Sequence, residues 1–79
     1  MMASKFNLLE TVIAKMSVPE ENVLAGDLGT IVEIYKKPKL AYEVEFVDPD
    51  GTTRALLTMS PNQLRKLSSI DILTTRRKP

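Results

Sequence analysis

The carboxylates Glu43 and Glu45 alternate with the apolar side chains of Tyr42, Val44 and Phe46, and Asp48 and Asp50 follow closely. Side chains two apart on a strand point the same way, so the two glutamates stand about 7 Å apart on one face. Acid–base catalysis by such a pair wants one carboxyl kept protonated by burial. The wet face of a strand does not bury it, so glycosidase-like chemistry is not expected. The ordinary role of Glu43 and Glu45 is a solvated face, and the functional one is an acidic surface that docks a basic partner. Ser17, Ser60, Ser68 and Ser69 have no histidine to activate them, and neither a Ser-x-x-Lys nor a Gly-x-Ser-x-Gly motif is present. With no Cys and no His in the chain, a disulfide framework, a zinc site, a thiol nucleophile and an imidazole base are all excluded. An enzyme is not expected, and no cofactor site is expected either.

Basic residues gather at Lys36, Lys37 and Lys39, at Arg65 and Lys66, and at Arg76, Arg77 and Lys78. Such clusters can touch phosphates. The 11 Lys and Arg are nearly balanced by 10 Asp and Glu, for a net charge of +1, well short of a dedicated nucleic-acid binder. Reading single-stranded bases also needs exposed aromatic rings. Phe6, Tyr35, Tyr42 and Phe46 are the whole supply, and the core is expected to claim two of them. Tyr35, beside Lys36 and Lys37, is the aromatic that alternation leaves outside, where it could equally contact a protein. The candidate partner-binding residues are therefore Tyr35, Lys36, Lys37, Lys39, Glu43 and Glu45.

These residues must be held by a small β domain. Apolar residues recur mostly with period two in short runs separated by turn residues. Phe6 to Met16 would also suit a helical face, but the β-branched series Thr11-Val12-Ile13 favours a strand. Thr30 to Lys36, Ala41 to Val47 and Thr52 to Met59 are the next three strands, the third run having the clearest alternation. In the fourth, Thr53, Ala55, Leu57 and Met59 share one side, and Arg54, Leu56 and Thr58 the other. Asp48-Pro49-Asp50-Gly51 predicts a hairpin turn: Pro49 presets a dihedral, Asp50 can bond its own backbone, and Gly51 accepts positive φ. Lys36-Lys37-Pro38-Lys39 is a looser, charged hairpin tip. Gly26, Asp27 and Gly29 predict a tight reversal, with positive φ expected at Gly26, Gly29 and Gly51. Phosphate cradling there is disfavoured, because the stretch opens a strand and lacks the spacing of a phosphate loop. Ser60-Pro61-Asn62-Gln63 predicts a capped helical turn running through Leu67, with Leu64 and Leu67 on one face. Ile70 to Thr74 offers a last strand.

The resulting expectation is a mainly β fold, a small five-stranded SH3-like barrel with one short helical turn before the last strand. A short meander that pairs with a second copy through its edge is the alternative. Residues 1–5 are expected to be a disordered start, 6–74 the barrel, and 75–79 a flexible basic tail. Val12, Val32, Ile34, Tyr42, Val44, Phe46, Leu57 and Leu64 are the expected core. At 79 residues that core is thin, and stability of about 3–5 kcal/mol is expected. The longest apolar runs, such as Val12 to Ala14, are far too short for a signal peptide or a membrane helix, and a cytoplasmic location is expected.

The stretch Gly26-Asp27-Leu28-Gly29-Thr30-Ile31-Val32-Glu33-Ile34 resembles the turn and strand of KOW-type SH3-like barrels of ribosomal proteins and transcription elongation factors. A closer resemblance runs from Phe6 to about Leu67. It is carried by Leu8-Leu9-Glu10-Thr11-Val12, Ala25 to Glu33, Tyr42 to Asp48, and Ala55-Leu56-Leu57-Thr58 with Gln63-Leu64-Arg65. These segments resemble the domain-of-unknown-function family 4926, small bacterial proteins, many of them cyanobacterial. The resemblance implies a fold and a compartment, and no catalytic residue. It suggests a non-catalytic module engaging a protein partner, with an antitoxin-like or immunity-like role as the most concrete form. A KOW-like nucleic-acid-binding barrel using its basic loops is the alternative.

Overall fold

The structure, a computed structural model, describes residues 5–68. Five strands form one antiparallel sheet: β1 (Thr11–Ala14), β2 (Leu28–Tyr35), β3 (Ala41–Val47), β4 (Thr53–Met59) and β5 (Leu64–Lys66), in the order β4-β3-β2-β1-β5. The fold is mainly β, as the period-two pattern requires. Helical structure among the described residues is confined to two 3-10 turns, Pro19–Glu21 and Pro61–Gln63. Among the described residues β4 and β5 are the edges of the sheet. Residues 1–4 and the expected strand Ile70 to Thr74 and tail Thr75 to Pro79 lie outside the described residues.

Alternation on β3 sorts the two faces as expected. Tyr42, Val44 and Phe46 are fully buried, while Glu43 and Glu45 point to the opposite side and are half-exposed. Three aromatics rather than two enter the core, because Phe6 folds back from the N-terminal arm and is buried. Its ring meets Tyr42 edge-on, with centroids 5.2 Å apart and planes at 70°. Val23 is delivered from the long β1–β2 loop, where Val18 and Val23 pair as an isolated bridge, and Leu64 is delivered by β5. Each such large apolar side chain contributes about 1.5–3 kcal/mol by leaving water.

On β2 the buried set is shifted. Ile31 is fully buried and Val32, expected in the core, is only half-buried. The β2–β3 register slips between Ile31 and Glu33, leaving Val32 as the extra residue of a β-bulge. The bulge resets the alternation, so that Ile31 and Ile34 both face inward although they are three apart. Ile34 and Leu57 are half-buried and pack against the core cluster.

The turn before β5 is shorter than its sequence suggests. It ends at Gln63, and Leu64 to Lys66 extend beside β1 instead of continuing a helix through Leu67. The Gln63 Oε1 atom accepts the Ser60 backbone N–H at 2.8 Å, the reciprocal half of a capping box. Extending Leu64 gives β1 a partner on its second edge, and Leu64 itself enters the core opposite Ala14.

Gly26 and Gly51 take φ of +96° and +90°, as their turns require. Gly29 does not, and its role is steric. A Cβ there would come within 2.6 Å of Val44 Cγ1 and 2.9 Å of Phe46 Cε1, so glycine lets β2 lie against the β3 side chains. The Asp27 Oδ2 atom accepts the Leu24 N–H at 2.9 Å, and the Gly51 N–H donates to the Asp48 carbonyl at 2.8 Å. Asp50 Oδ1 accepts the Thr52 N–H at 2.9 Å, and that amide, more than any other group, holds the Asp50 carboxyl below its ordinary value. Pro49 occupies the second position of this turn.

Candidate functional site

The face of the sheet away from the core carries most of the residues singled out from the sequence. Glu43 is opposite Glu33 on β2 and Thr58 on β4, and Glu45 is opposite Thr30 and Leu56. The Thr58 hydroxyl donates to Glu43 Oε1 at 2.8 Å, and the Thr53 hydroxyl donates to Glu45 Oε2 at 2.7 Å. Tyr35, at the end of β2, is 40% exposed, and its hydroxyl lies 3.4 Å from Glu43 Oε1 as donor. Local burial first, then the charge of Glu43, its hydrogen bond and the charge of Glu33, push the Tyr35 hydroxyl above its ordinary value of 10.0. Tyr35 and Glu43 are thus one contiguous feature. Glu45 is the next outward position on the same strand.

Glu33 and Glu43 face one another as like charges, an arrangement that costs stability in the isolated protein. The ion pairs among the described residues lie elsewhere: Arg54 with Asp27 and Asp48, and Lys66 with Glu10. None reaches Glu33, Glu43 or Glu45.

Large apolar residues interrupt this acidic face. Leu28 is 40%, Val47 48% and Leu56 54% exposed. Leu28 and Val47 share a groove of about 520 Å³ whose other walls include Thr30, Glu45, Asp48 and Pro49. Strand alternation marks Val47 and Leu56 as outward-facing, whereas the period that puts Val32 and Ile34 in the expected core would turn Leu28 inward; the β2 bulge places Leu28 on the outer side, and the register then aligns the three strands.

Lys36, Lys37 and Lys39 occupy the β2–β3 hairpin tip and are exposed, with a cis peptide bond between Lys37 and Pro38. Tyr35 joins the tip to the acidic face. Arg65 and Lys66 are on a different element, β5, and Arg76, Arg77 and Lys78 lie outside the described residues. The Lys66 ammonium is 3.1 Å from Glu10 Oε2 and 5.5 Å from the Phe6 ring centre, bracing the N-terminal arm. Of the serines, Ser17 accepts the Ala25 N–H through its hydroxyl at 2.9 Å, a loop-fixing role.

Arg54 is a residue whose importance sequence reasoning missed. It sits at the irregularity between Phe46 and Val47 in the β3–β4 register, half-buried, within 3.3 Å of Asp27 and 3.4 Å of Asp48. One guanidinium thereby ties the Gly26 turn to the β3–β4 hairpin. Alternation alone places Arg54 on the solvent side with Leu56 and Thr58, and no local pattern reveals a clamp made by two distant turns.

The face combines carboxylates that accept from hydroxyl donors, exposed apolar side chains between them, and an aromatic at one end. Among the described residues no group of three or more carboxylates is placed to hold a metal ion, and no helix is long and apolar enough to cross a membrane. A comparison with protein families finds that the model of a domain of unknown function (DUF4926) matches residues 8–66, from the N-terminal arm through β5. No curated protein and no solved structure matches the chain.

Proposed function

The chain belongs to the family described as a domain of unknown function (DUF4926), and on that premise we propose that it is a non-catalytic cytoplasmic module that binds a protein partner through the outer face of its sheet. The observation that carries this reading is the placement of Leu28, Val47 and Leu56, all well exposed, on the face that also presents Glu43, Glu45 and Tyr35. An apolar strip among aligned charges is characteristic of surfaces that become buried in a complex. The unrelieved pairing of Glu33 with Glu43 is relieved when a partner brings positive charge. An antitoxin-like or immunity-like role, in which the module covers a neighbouring protein, is the most concrete form of this function.

Co-expression with the products of flanking genes, followed by affinity purification, tests the reading. A partner should be retained by the wild-type protein and by a variant with Lys36, Lys37 and Lys39 changed to Ser, and lost from Tyr35→Ala and Leu56→Ser. Loss on the lysine changes with retention on the outer-face changes would favour the alternative, a nucleic-acid-binding module. That alternative draws its support from the exposed lysines of the hairpin tip beside Tyr35.

A further inference from the structure

The groove between Leu28 and Val47 has a composition that selects its occupant. Its lining is apolar at Leu28, Val47 and Pro49 and includes the acidic residues Glu45 and Asp48, with no Lys or Arg among the lining residues. We propose that this groove receives an arginine side chain presented by a protein partner, with the stem lying on Leu28, Val47 and Pro49 and the guanidinium on the Glu45 carboxylate. The proposal rests on the protein-binding reading and names the chemistry of the partner at one point.

The two carboxylates are not equivalent. Asp48 already has Arg54 within 3.4 Å, whereas among the described residues Glu45 receives only the Thr53 hydroxyl, on Oε2. A carboxylate offers about four acceptor positions over its two oxygens, so Glu45 keeps acceptor capacity that the Thr53 hydroxyl does not use. A guanidinium satisfies it with a planar, two-pronged contact, and its weakly hydrated faces pack against aliphatic carbon. A lysine ammonium is a compact, strongly hydrated charge and would leave the apolar lining less well covered. At about 520 Å³ the groove falls within the usual range of ligand-sized clefts, with room for one long side chain and part of its neighbours.

Charge complementarity excludes the other candidates for this position. A second copy of the chain docked through this groove would bring a second set of carboxylates, Glu33, Glu43 and Glu45, toward the first, which disfavours it as the occupant. A nucleic acid would bring phosphates to the same carboxylates. An extended segment also cannot add as a strand here, because β2 and β3 are interior strands whose backbones are already paired. Recognition at this groove is therefore by side chains.

The test is a titration of the ¹⁵N-labelled protein with the capped peptide acetyl-Gly-Leu-Arg-Leu-Gly-amide, set beside the same peptide with citrulline, an uncharged isostere, in place of Arg. The expected result is amide shifts at Gly29, Thr30, Glu45 and Val47, with the citrulline peptide at least about fivefold weaker, since each charged hydrogen bond in such a contact is among the stronger ones. Glu45→Gln should weaken the arginine peptide by a similar factor, and the same spectra show whether that variant remains folded. Leu28→Ser should weaken both peptides. No shift at about 5 mM peptide, beyond millimolar dissociation constants, overturns the proposal. So do shifts confined to Lys36 to Lys39, or equal affinity for the two peptides. If a captured partner protein is indifferent to Glu45→Gln but is lost from Tyr35→Ala and Leu56→Ser, the arginine assignment fails and the protein-binding reading stands. If none of the outer-face variants affects that partner, the reading itself fails.

Discussion

Phe6 and Tyr42, 36 residues apart, are joined twice: their rings pack edge to face, and the Phe6 backbone N–H donates to the Tyr42 hydroxyl oxygen at 3.2 Å. The Lys5 N–H donates to the same oxygen at 2.8 Å. One buried phenol thus fixes the N-terminal arm over the core by packing and by accepting two main-chain donors.

Tyr42→Phe keeps the ring and removes the acceptor. A buried amide that loses its partner costs about 1–3 kcal/mol, a large share of the stability of a domain this size. Denaturant unfolding should show that loss, and hydrogen exchange at Phe6 should accelerate more than at Val44. Unchanged stability would remove the phenol from this role.

Gly29→Ala should destabilise by about 1–3 kcal/mol through overpacking against Val44 and Phe46. Combining it with Val44→Ala should cost less than the sum of the single changes, a coupling of about 0.5–3 kcal/mol in a double-mutant cycle. Gly26→Ala should destabilise without any such coupling, because its +96° φ is the obstacle and nothing lies within 4 Å of a Cβ there. Additive losses at Gly29 and Val44 would contradict the close-approach account.

Leu9 has φ of +68° and is 70% exposed, with its N–H donating to the Ile31 carbonyl at 2.6 Å. A branched, bulky residue is strained in that region, where asparagine is much better tolerated. Leu9→Asn should therefore stabilise the protein by about 0.5–1 kcal/mol, raising Tm by several degrees for a domain of this length. A lower Tm would show that Leu9 packs in a way its exposure does not suggest.

Glu10 supplies an acid-sensitive contact. Its Oε1 accepts the Asn7 N–H at 2.8 Å and its Oε2 lies 3.1 Å from the Lys66 ammonium. The Asn7 amide foremost, aided by Lys66 and opposed by partial burial, holds the carboxyl below its ordinary value of 4.5. A depressed folded-state pKa gives stability that is fully present above the unfolded value and is lost as pH falls through the folded one. Denaturation midpoints measured from about pH 7 to about pH 3 should decline in that acid window, and Glu10→Gln should flatten the decline. An identical pH profile in the variant would count against it.

Random single- or double-stranded DNA or RNA should not shift in mobility with micromolar protein near physiological salt, since the net charge is +1 and Glu43, Glu45, Asp48 and Asp50 repel phosphate. Tight binding that falls steeply between about 50 and 200 mM salt and disappears when Lys36, Lys37 and Lys39 are neutralised would reverse the ranking of protein over nucleic-acid partners.

What could be read in the sequence was local. The alternation of Tyr42, Val44 and Phe46, the Asp48–Gly51 turn and the Ser60-Pro61 helical start each depend on neighbours within a few residues, and each is found where the pattern puts it. Ile31 escaped because a bulge changes the period within a strand, so strict alternation selects Val32 in its place. Phe6, Arg54 and the steric role of Gly29 depend on partners far away in the chain, for which no local pattern exists. Strand β5 is too short, at three residues, for any periodicity to show. The outward positions of Glu43 and Glu45 were legible. The groove beside them was not, because it exists only once three strand ends and a turn are brought together.

The position of β1 between β2 and β5 governs when this protein can come into existence during its synthesis. With four strands made, β1 still has a bare edge on its second side, and Ala14 lacks the cover of Leu64. Joining β1 to β5 closes a loop from Ala14 to Leu64, and that loss of chain freedom precedes the contacts that compensate for it. The sheet of β1 to β5 can therefore be completed only after Lys66 has cleared the ribosome, and closing it is the non-local kind of step that slows the folding of β domains. In the interval it carries an unpaired strand edge open to other chains.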